Sequence, residues 1–332
     1  VVIDTDGPVR WGVVATGGMS RTFVADLLVT PDCQVVAVGS RSTGSARRFA
    51  DEFGVTRAYG SYEDLAADDD VDVVYVGATH DAHYRAARMG LDEGRAVLCE
   101  KPLTVDLDQA TELVDTARQR GLFLMEAMWT RCQPGWLSLV EELRAGVIGP
   151  ILRVEASLGS PAPSDPAHRL RNPSLAGGSL LDTGVYPIAV AVALLGAPAD
   201  IRALATLDGG VDTSAVLACR WAGGQTGLLG STIEAVSPGT AVFAGPDGRV
   251  ILPSPFNKIS AYRVEHCGEP ARTVSTPLEG AGYVHIAAEV TRCLQAGLIE
   301  SPLVPLEATL ATMAVLDEAR RQIGLAYPWE TA

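Results

Sequence analysis

Through the first 128 residues, apolar strands alternate with helices, and the strands stay apolar along their whole length. Val9–Val14, Cys33–Gly39, Val71–Val76, Ala96–Glu100 and Leu122–Ala127 read as strands, and Ser20–Leu28, Ser45–Phe53, Tyr62–Ala67, His83–Gly90 and Leu107–Arg120 carry helical spacing. A strand with apolar side chains on both sides needs cover on both faces. A helix after each strand supplies that cover, so the pattern calls for a doubly wound parallel sheet. Past residue 150 the pattern changes. Leu152–Ser157, Asp212–Trp221, Thr226–Ile233, Ala241–Ala244, Val250–Leu252 and Ala261–Cys267 follow with few helices, as in an antiparallel meander. Helices are expected at Ser179–Leu195, Tyr283–Ala296 and Leu306–Ile323, and residues 159–174, rich in Pro, Ser and Arg, form a loop over a site. The expected domains are residues 1–128 and 129–332, with the terminal helices free to pack back on the first.

A length of 332 residues accommodates two domains, and 47% apolar with 20% charged residues is a globular balance. Forty acidic against 26 basic residues give a net charge of −14. Such a chain repels phosphate backbones and anionic lipid, so neither nucleic acid nor membrane is an expected partner. Cys33, Cys99, Cys132, Cys219, Cys267 and Cys293 include no Cys-x-x-Cys pair. They read as free thiols of a reducing compartment, with no metal site. Val1–Arg10 lacks the basic end and apolar core of an export signal, and no apolar run approaches the roughly 18 residues of a bilayer span. The expected address is the cytoplasm.

The first strand runs into Ala15-Thr16-Gly17-Gly18-Met19-Ser20. Strand, glycine turn and helix together hold a diphosphate, because glycines admit the backbone and a helix N-terminus offers free N–H groups. Here Ala15 and Ser20 occupy the first and third glycine positions of the dinucleotide fingerprint. At the end of the second strand, Ser40, Arg41 and Thr43 stand where an NAD enzyme usually carries an acid for the ribose 2′-hydroxyl. A guanidinium beside hydroxyls suits a 2′-phosphate, so NADP(H) is the expected cofactor; a solvated turn is the plainer alternative.

With the glycine turn, four further motifs complete a pattern: Cys99-Glu100-Lys101-Pro102, Thr79-His80-Asp81-Ala82-His83, Glu126-Ala127-Met128-Trp129-Thr130-Arg131 and the stretch from Gly177 through Asp182 to Tyr186-Pro187. The pattern resembles the glucose–fructose oxidoreductase/inositol dehydrogenase (Gfo/Idh/MocA) family, in the branch of dimeric dihydrodiol dehydrogenases and NADP-dependent xylose dehydrogenases. The resemblance implies a Rossmann domain followed by an α+β domain with a large, open, mostly antiparallel sheet. It implies oxidation of sugars, polyols or diols, or reduction of the matching ketones. It places Lys101 beside the nicotinamide, with Asp182 and Tyr186 facing the substrate. Tyr186 stands where many relatives carry His, Cys132 where many in the branch carry Phe, and Ala15 where a glycine is usual.

Thr79, His80 and His83 follow the third strand at the carboxyl edge where open α/β sheets bind ligands, and with Glu100 and Lys101 they are cofactor candidates. His83 reads equally well as a first-turn polar residue. Trp129 and Arg131 follow the fifth strand at the same edge and are substrate candidates; a Trp that only fills a crevice is the alternative. Arg169 and Arg171 lie in the Pro-rich loop, where solvated arginines are common, and Arg169 is a candidate for substrate contact. Glu100 reads as an anchor for its turn that also keeps Lys101 charged. A homodimer or higher homo-oligomer is expected, because Val242, Phe243, Val250 and Ile251 supply apolar surface on a sheet with few covering helices. A nucleotide-sensing protein on the same fold, without turnover, is the competing function.

Overall fold

The computed structural model describes residues 7–330, so most of the Val1–Arg10 stretch lies outside the described residues. Two compact units form. One contains the chain up to Trp129 together with Glu279–Leu306; the other contains Thr130–Leu278 and the chain from Glu307 onward.

The first unit runs β1 (Val9–Val14), α1 (Gly18–Leu27), β2 (Cys33–Gly39), α2 (Thr43–Phe53), β3 (Arg57–Tyr59), α3 (Tyr62–Ala66), β4 (Val73–Val76), α4 (His80–Asp92), β5 (Ala96–Cys99), α5 (Leu107–Arg120) and β6 (Leu124–Glu126). The strands are parallel in the order β3-β2-β1-β4-β5-β6. This is the doubly wound dinucleotide-binding order, in which the winding reverses beside β1. The sequence predicts five of these strands. The sixth, β3, is three half-buried residues without an apolar pattern, and only its pairing with β2 makes it a strand. Helix α1 starts at Gly18, two residues earlier than its apolar spacing suggests, and α4 starts at His80, three residues earlier than expected. Trp11, Val13, Phe23, Leu27, Val74, Tyr75 and Leu98 form a core with no more than 1% exposure.

The second unit begins with α6 (Pro134–Arg144) and β7 (Arg153–Gly159), followed by α7 (Val185–Leu195), and then β8 (Asp200–Asp208), β9 (Val211–Arg220), β10 (Thr226–Thr232), β11 (Ala241–Gly245), β12 (Gly248–Leu252), β13 (Ala261–His266) and β14 (Arg272–Ser275). Helix α8 (Val284–Gln295) belongs to the first unit, packed on α1 and β2, and α9 (Leu306–Ile323) falls almost wholly in the second. The sheet order is β14-β13-β12-β11-β7-β10-β9-β8. All pairs are antiparallel except β7 with β10. The meander expected from the sequence is therefore split by β7, which inserts between β10 and β11. Strands β8 and β14 carry too few large apolar residues to be read from the sequence.

Alternation sorts the apolar residues expected to drive association. Phe243 and Val250 are fully buried in the unit's own core, while Val242 and Ile251 are half-exposed on the opposite face. On that outer face, Leu204, Val216 and Leu228 are 73%, 56% and 51% exposed on neighbouring strands β8, β9 and β10. An 18-residue window within Pro173–Leu195 is apolar enough to cross a bilayer, a feature missed in the sequence, but 78% of that window is buried. It is the core of this unit.

Candidate functional site

The glycine turn closes β1 with Ala15 at φ +74°, where its N–H donates to the Gly39 carbonyl at 2.9 Å. This left-handed backbone explains why glycine is usual here; an alanine accepts it at a cost of about 1 kcal/mol. Gly17 and Gly18 show the opposite situation. Neither lies in the left-handed region, and a Cβ at either would meet nothing within 4 Å. A side chain there would only fill the space in front of α1, whose first turn has no acid and whose N-cap makes no side-chain bond. The helix terminus is thus kept bare, with free N–H groups and the positive end of the dipole facing outward, as a diphosphate requires.

Ser20 is completely buried in the position where the fingerprint has its third glycine. The close approach is provided from the strand side, because a Cβ on Gly77 would collide with Ser20 Oγ and would meet the Tyr75 ring at 2.8 Å.

Ser40 is buried after β2, its N–H bonded to the Tyr59 carbonyl, while Arg41 and Thr43 are exposed. Arg41 lines a cleft of about 620 Å³ with Ser61, Tyr62, Asp81 and Arg85. The Tyr62 phenol is pushed up by burial, and Arg41 acts against that shift. The cleft adjoins the strand end where the ribose of a bound dinucleotide lies in this sheet order.

At the carboxyl edge of β4, Thr79 precedes α4 without a side-chain cap bond, and His80 opens the helix, buried and edge-on to His83 at 5.6 Å. His83 is 1% exposed, with Nδ1 2.8 Å from the Pro102 carbonyl and Nε2 3.2 Å from that of Ala78. Burial lowers its pKa, which favours the neutral ring. Both nitrogens face backbone carbonyls, which makes His83 a brace between α4 and the Lys101-Pro102 turn.

That turn is anchored from below. Glu100 is buried; its Oε1 accepts the Tyr75 hydroxyl at 2.8 Å, and its Oε2 accepts the Lys101 backbone N–H at 3.3 Å. The Tyr75 phenol rises well above its usual range, first from burial and then from the charge of Glu100. Glu126, also buried, accepts the Leu103 N–H at 3.1 Å. The Lys101 side chain is half-exposed.

Trp129 is buried and stacks on Tyr283 at 4.5 Å and 20°, and the Tyr283 hydroxyl reaches Met19 Sδ at 3.7 Å. Asp26 fixes this segment by accepting the Ala281 and Tyr283 N–H groups at 2.7–3.0 Å.

In the second unit, Asp182 lies in a wide π turn, Leu180–Gly184, and Tyr186 is the second residue of α7. Both are buried. The sequence suggests a regular helix with the two residues on one face; instead they follow each other through a turn whose bonds reach five residues back. Arg169 donates to Asp182 Oδ1 at 3.0 Å. Arg171 is committed elsewhere, to Glu234 and to the Pro163 carbonyl. Arg131 is half-buried in a single 3₁₀ turn after Trp129, where Cys132 is buried. Among the described residues, no cluster of His, Cys, Asp or Glu suits a metal.

Tyr75, Tyr283 and Asp212 were not singled out from the sequence. Tyr75 and Tyr283 look like ordinary strand and helix-start residues, and Asp212 like the polar opening of a strand.

A parallel sheet in dinucleotide order with a bare helix terminus after β1 defines an NAD(P)-binding oxidoreductase fold. Residues 9–128 match the Gfo/Idh/MocA oxidoreductase family, NAD-binding Rossmann fold, and residues 136–251 match the Gfo/Idh/MocA C-terminal domain. The chain is 35% identical to trans-1,2-dihydrobenzene-1,2-diol dehydrogenase of Xenopus laevis, over 96% of this chain and 99% of that one. It is 34% identical to D-xylose 1-dehydrogenase (NADP(+)) of Hypocrea jecorina, over 96% and 93%. A crystal structure of a 3-ketoreductase from Actinomadura kijaniata with NADP and TDP-benzene superposes with a TM-score of 0.84 at 29% identity, over 96% and 98%. The chain belongs to the Gfo/Idh/MocA oxidoreductase family.

Proposed function

We propose that the protein is an NADP(H)-dependent oxidoreductase acting on a hydroxyl or carbonyl carbon of a sugar-like or cyclic-diol substrate. The observation that carries this reading is the station of Lys101 at the carboxyl edge of β5. It stands two strand spacings, about 10 Å, from the end of β1 and the bare α1 terminus. The dihydrodiol dehydrogenase, D-xylose dehydrogenase and 3-ketoreductase activities named for the relatives support the substrate class.

When bound, the dinucleotide supplies or takes up the hydride. The chain handles the proton. Tyr186 removes it from the substrate hydroxyl or delivers it to the carbonyl oxygen. A free phenol, with a pKa of about 10, is a weak base near neutrality, and the Lys101 ammonium favours its phenolate. Asp182 orients the substrate hydroxyl, and Arg131, Arg169 and Trp129 shape the substrate end. Ser40, Arg41 and Thr43 hold the 2′-phosphate; Thr16 to Met19 hold the diphosphate, with Thr79, His80 and Glu100 flanking the nicotinamide end. Two copies associate through the outer face bearing Leu204, Val216 and Leu228. The six free thiols suit a reducing cytoplasm.

The test is a panel of trans-1,2-dihydrobenzene-1,2-diol, D-xylose and other aldoses with NADP⁺ and with NAD⁺, followed by reduced-cofactor absorbance. Turnover with NADP⁺ on a diol or an aldose is the expected result. Tight NADPH binding without turnover on any member would assign a nucleotide-sensing role instead.

A further inference from the structure

We propose that Asp212 is a positioning residue for the reaction, fixing through its buried carboxylate the wide turn that carries Asp182 and leads into Tyr186. The proposal rests on the acid–base reading of Tyr186. Asp212 lies in β9, remote in sequence from that turn, and is 0% exposed. Its Oδ2 accepts two hydrogen bonds at 2.7 Å, from the Ser179 hydroxyl and from the Leu180 backbone N–H. The Ser179 Oγ also lies 2.9 Å from Ser231 Oγ on β10.

The N–H groups opening a helical turn have no partner within it, and in a buried turn they need an acceptor from elsewhere. Ser179, before the turn, makes no cap bond of its own, and Asp212 supplies the acceptor from across the sheet. The preceding glycines are shaped to admit it. Gly178 sits at φ +121°, and a Cβ there would collide with Asp212 Oδ1. A Cβ on Gly177 would meet the carbonyl oxygens of Arg169 and Leu170 at 2.8 Å. The Gly177 carbonyl accepts the Tyr327 hydroxyl at 2.8 Å, and Thr183 Oγ1 bonds back to the Ser179 carbonyl at 3.0 Å. The stretch 177–180 is thus pinned from β9, from β10 and from the chain's C-terminal segment. Burying a carboxylate is costly, and an apolar side chain would fill a strand position at lower cost. The site keeps the carboxylate because the turn needs its oxygen.

The test is a double-mutant cycle with Tyr186, using the diol or aldose that the panel identifies, with NADPH affinity measured by fluorescence titration. Asp212→Asn keeps an oxygen for Ser179 and Leu180 and is expected to hold kcat within about threefold. Asp212→Ala leaves both donors without an acceptor. A shift of about 1 Å in a reacting group costs up to about 100-fold, so kcat is expected to fall by about 10- to 100-fold, with NADPH affinity unchanged. In a Tyr186→Phe background the same Asp212→Ala change is expected to cost no more than about threefold, because the residue it positions has already lost its proton. Normal kcat in Asp212→Ala, an equal loss in both backgrounds, or a loss in Asp212→Asn matching that in Asp212→Ala overturns the proposal. Normal turnover of Tyr186→Phe alone, or no turnover of the unsubstituted protein across the panel, removes the acid–base reading beneath it. If Asp212→Ala does not fold, Ser179→Ala removes one of the two donors, and an unchanged kcat there overturns the proposal.

Discussion

The Arg169 guanidinium meets Asp182 Oδ1 at 3.0 Å, joining a loop side chain that is 47% exposed to a carboxylate that is 11% exposed. An ion pair open to water on one side contributes about 0–1 kcal/mol to stability, so its value lies in holding the carboxylate in one orientation. Arg169→Ala is expected to leave the thermal midpoint within about 4 °C and to lower kcat/KM about tenfold. A large drop in melting temperature with unchanged kcat/KM would make the pair a structural strut.

Tyr186→Phe and Lys101→Ala are each expected to lower turnover about 100-fold or more, the usual scale for positioned acid–base catalysis. Tyr186→Phe retains the ring and its packing, so NADPH binding survives. Near-normal turnover in that variant would transfer the proton to another group, with His80 the first to test.

Arg41→Ala is expected to weaken NADPH binding by tenfold or more while changing NADH binding little. A charge-assisted contact to phosphate contributes about 1.5–3 kcal/mol, and 1.4 kcal/mol is a factor of ten. Equal weakening of both would show that Arg41 does not read the phosphate.

Light scattering at micromolar concentration is expected to give twice the chain mass. Leu204, Val216 and Leu228 form an exposed apolar row across three strands, the kind of surface that marks an association site. Val216→Asp combined with Leu228→Asp should yield a folded monomer. An unsubstituted protein that is already monomeric would end this prediction.

Burial pushes the Asp212 carboxyl from 3.8 up to about 6, opposed by the bonds from Ser179 and Leu180. The neighbouring Tyr327 phenol is raised in turn, chiefly by its own burial and then by the charge of Asp212. Because the folded value is raised, this group's contribution is fully present below about pH 4 and is lost as pH rises through 6. The ionised form costs up to about 3 kcal/mol above that range. Asp212→Asn removes that cost, so the variant should melt higher than the unsubstituted protein at pH 8, with the gap closing toward pH 4. A gap independent of pH would show that Asp212 does not titrate in this window.

The alternation of the first 128 residues reveals the parallel sheet because each strand buries both faces, a pattern that needs no knowledge of partners. Strand β3 escapes because its side chains are only half-buried, and β8 because alanines dilute its alternation. The same limit governs the site. The glycine turn, Arg41, Lys101 and Tyr186 stand in recognisable local contexts. Ser20 seems an odd replacement for glycine until Gly77, 57 residues away, is seen to yield the space. Tyr75, Tyr283 and Asp212 act through partners 25 to 264 residues distant, and no local pattern marks such a residue.

The π turn at Leu180–Gly184 has a consequence for how such a site is inherited. A wide turn holds one residue more than a regular helix, so deleting Thr183 or Gly184 would restore α-helical bonding and tidy the backbone. It would also rotate everything upstream by about 100°, one helical step, relative to Tyr186. The irregularity therefore works as a phase setting. A lineage that lost the extra residue would keep the helix, its apolar burial and both side chains in its alignment, yet Asp182 and Tyr186 would no longer hold the mutual orientation they have here.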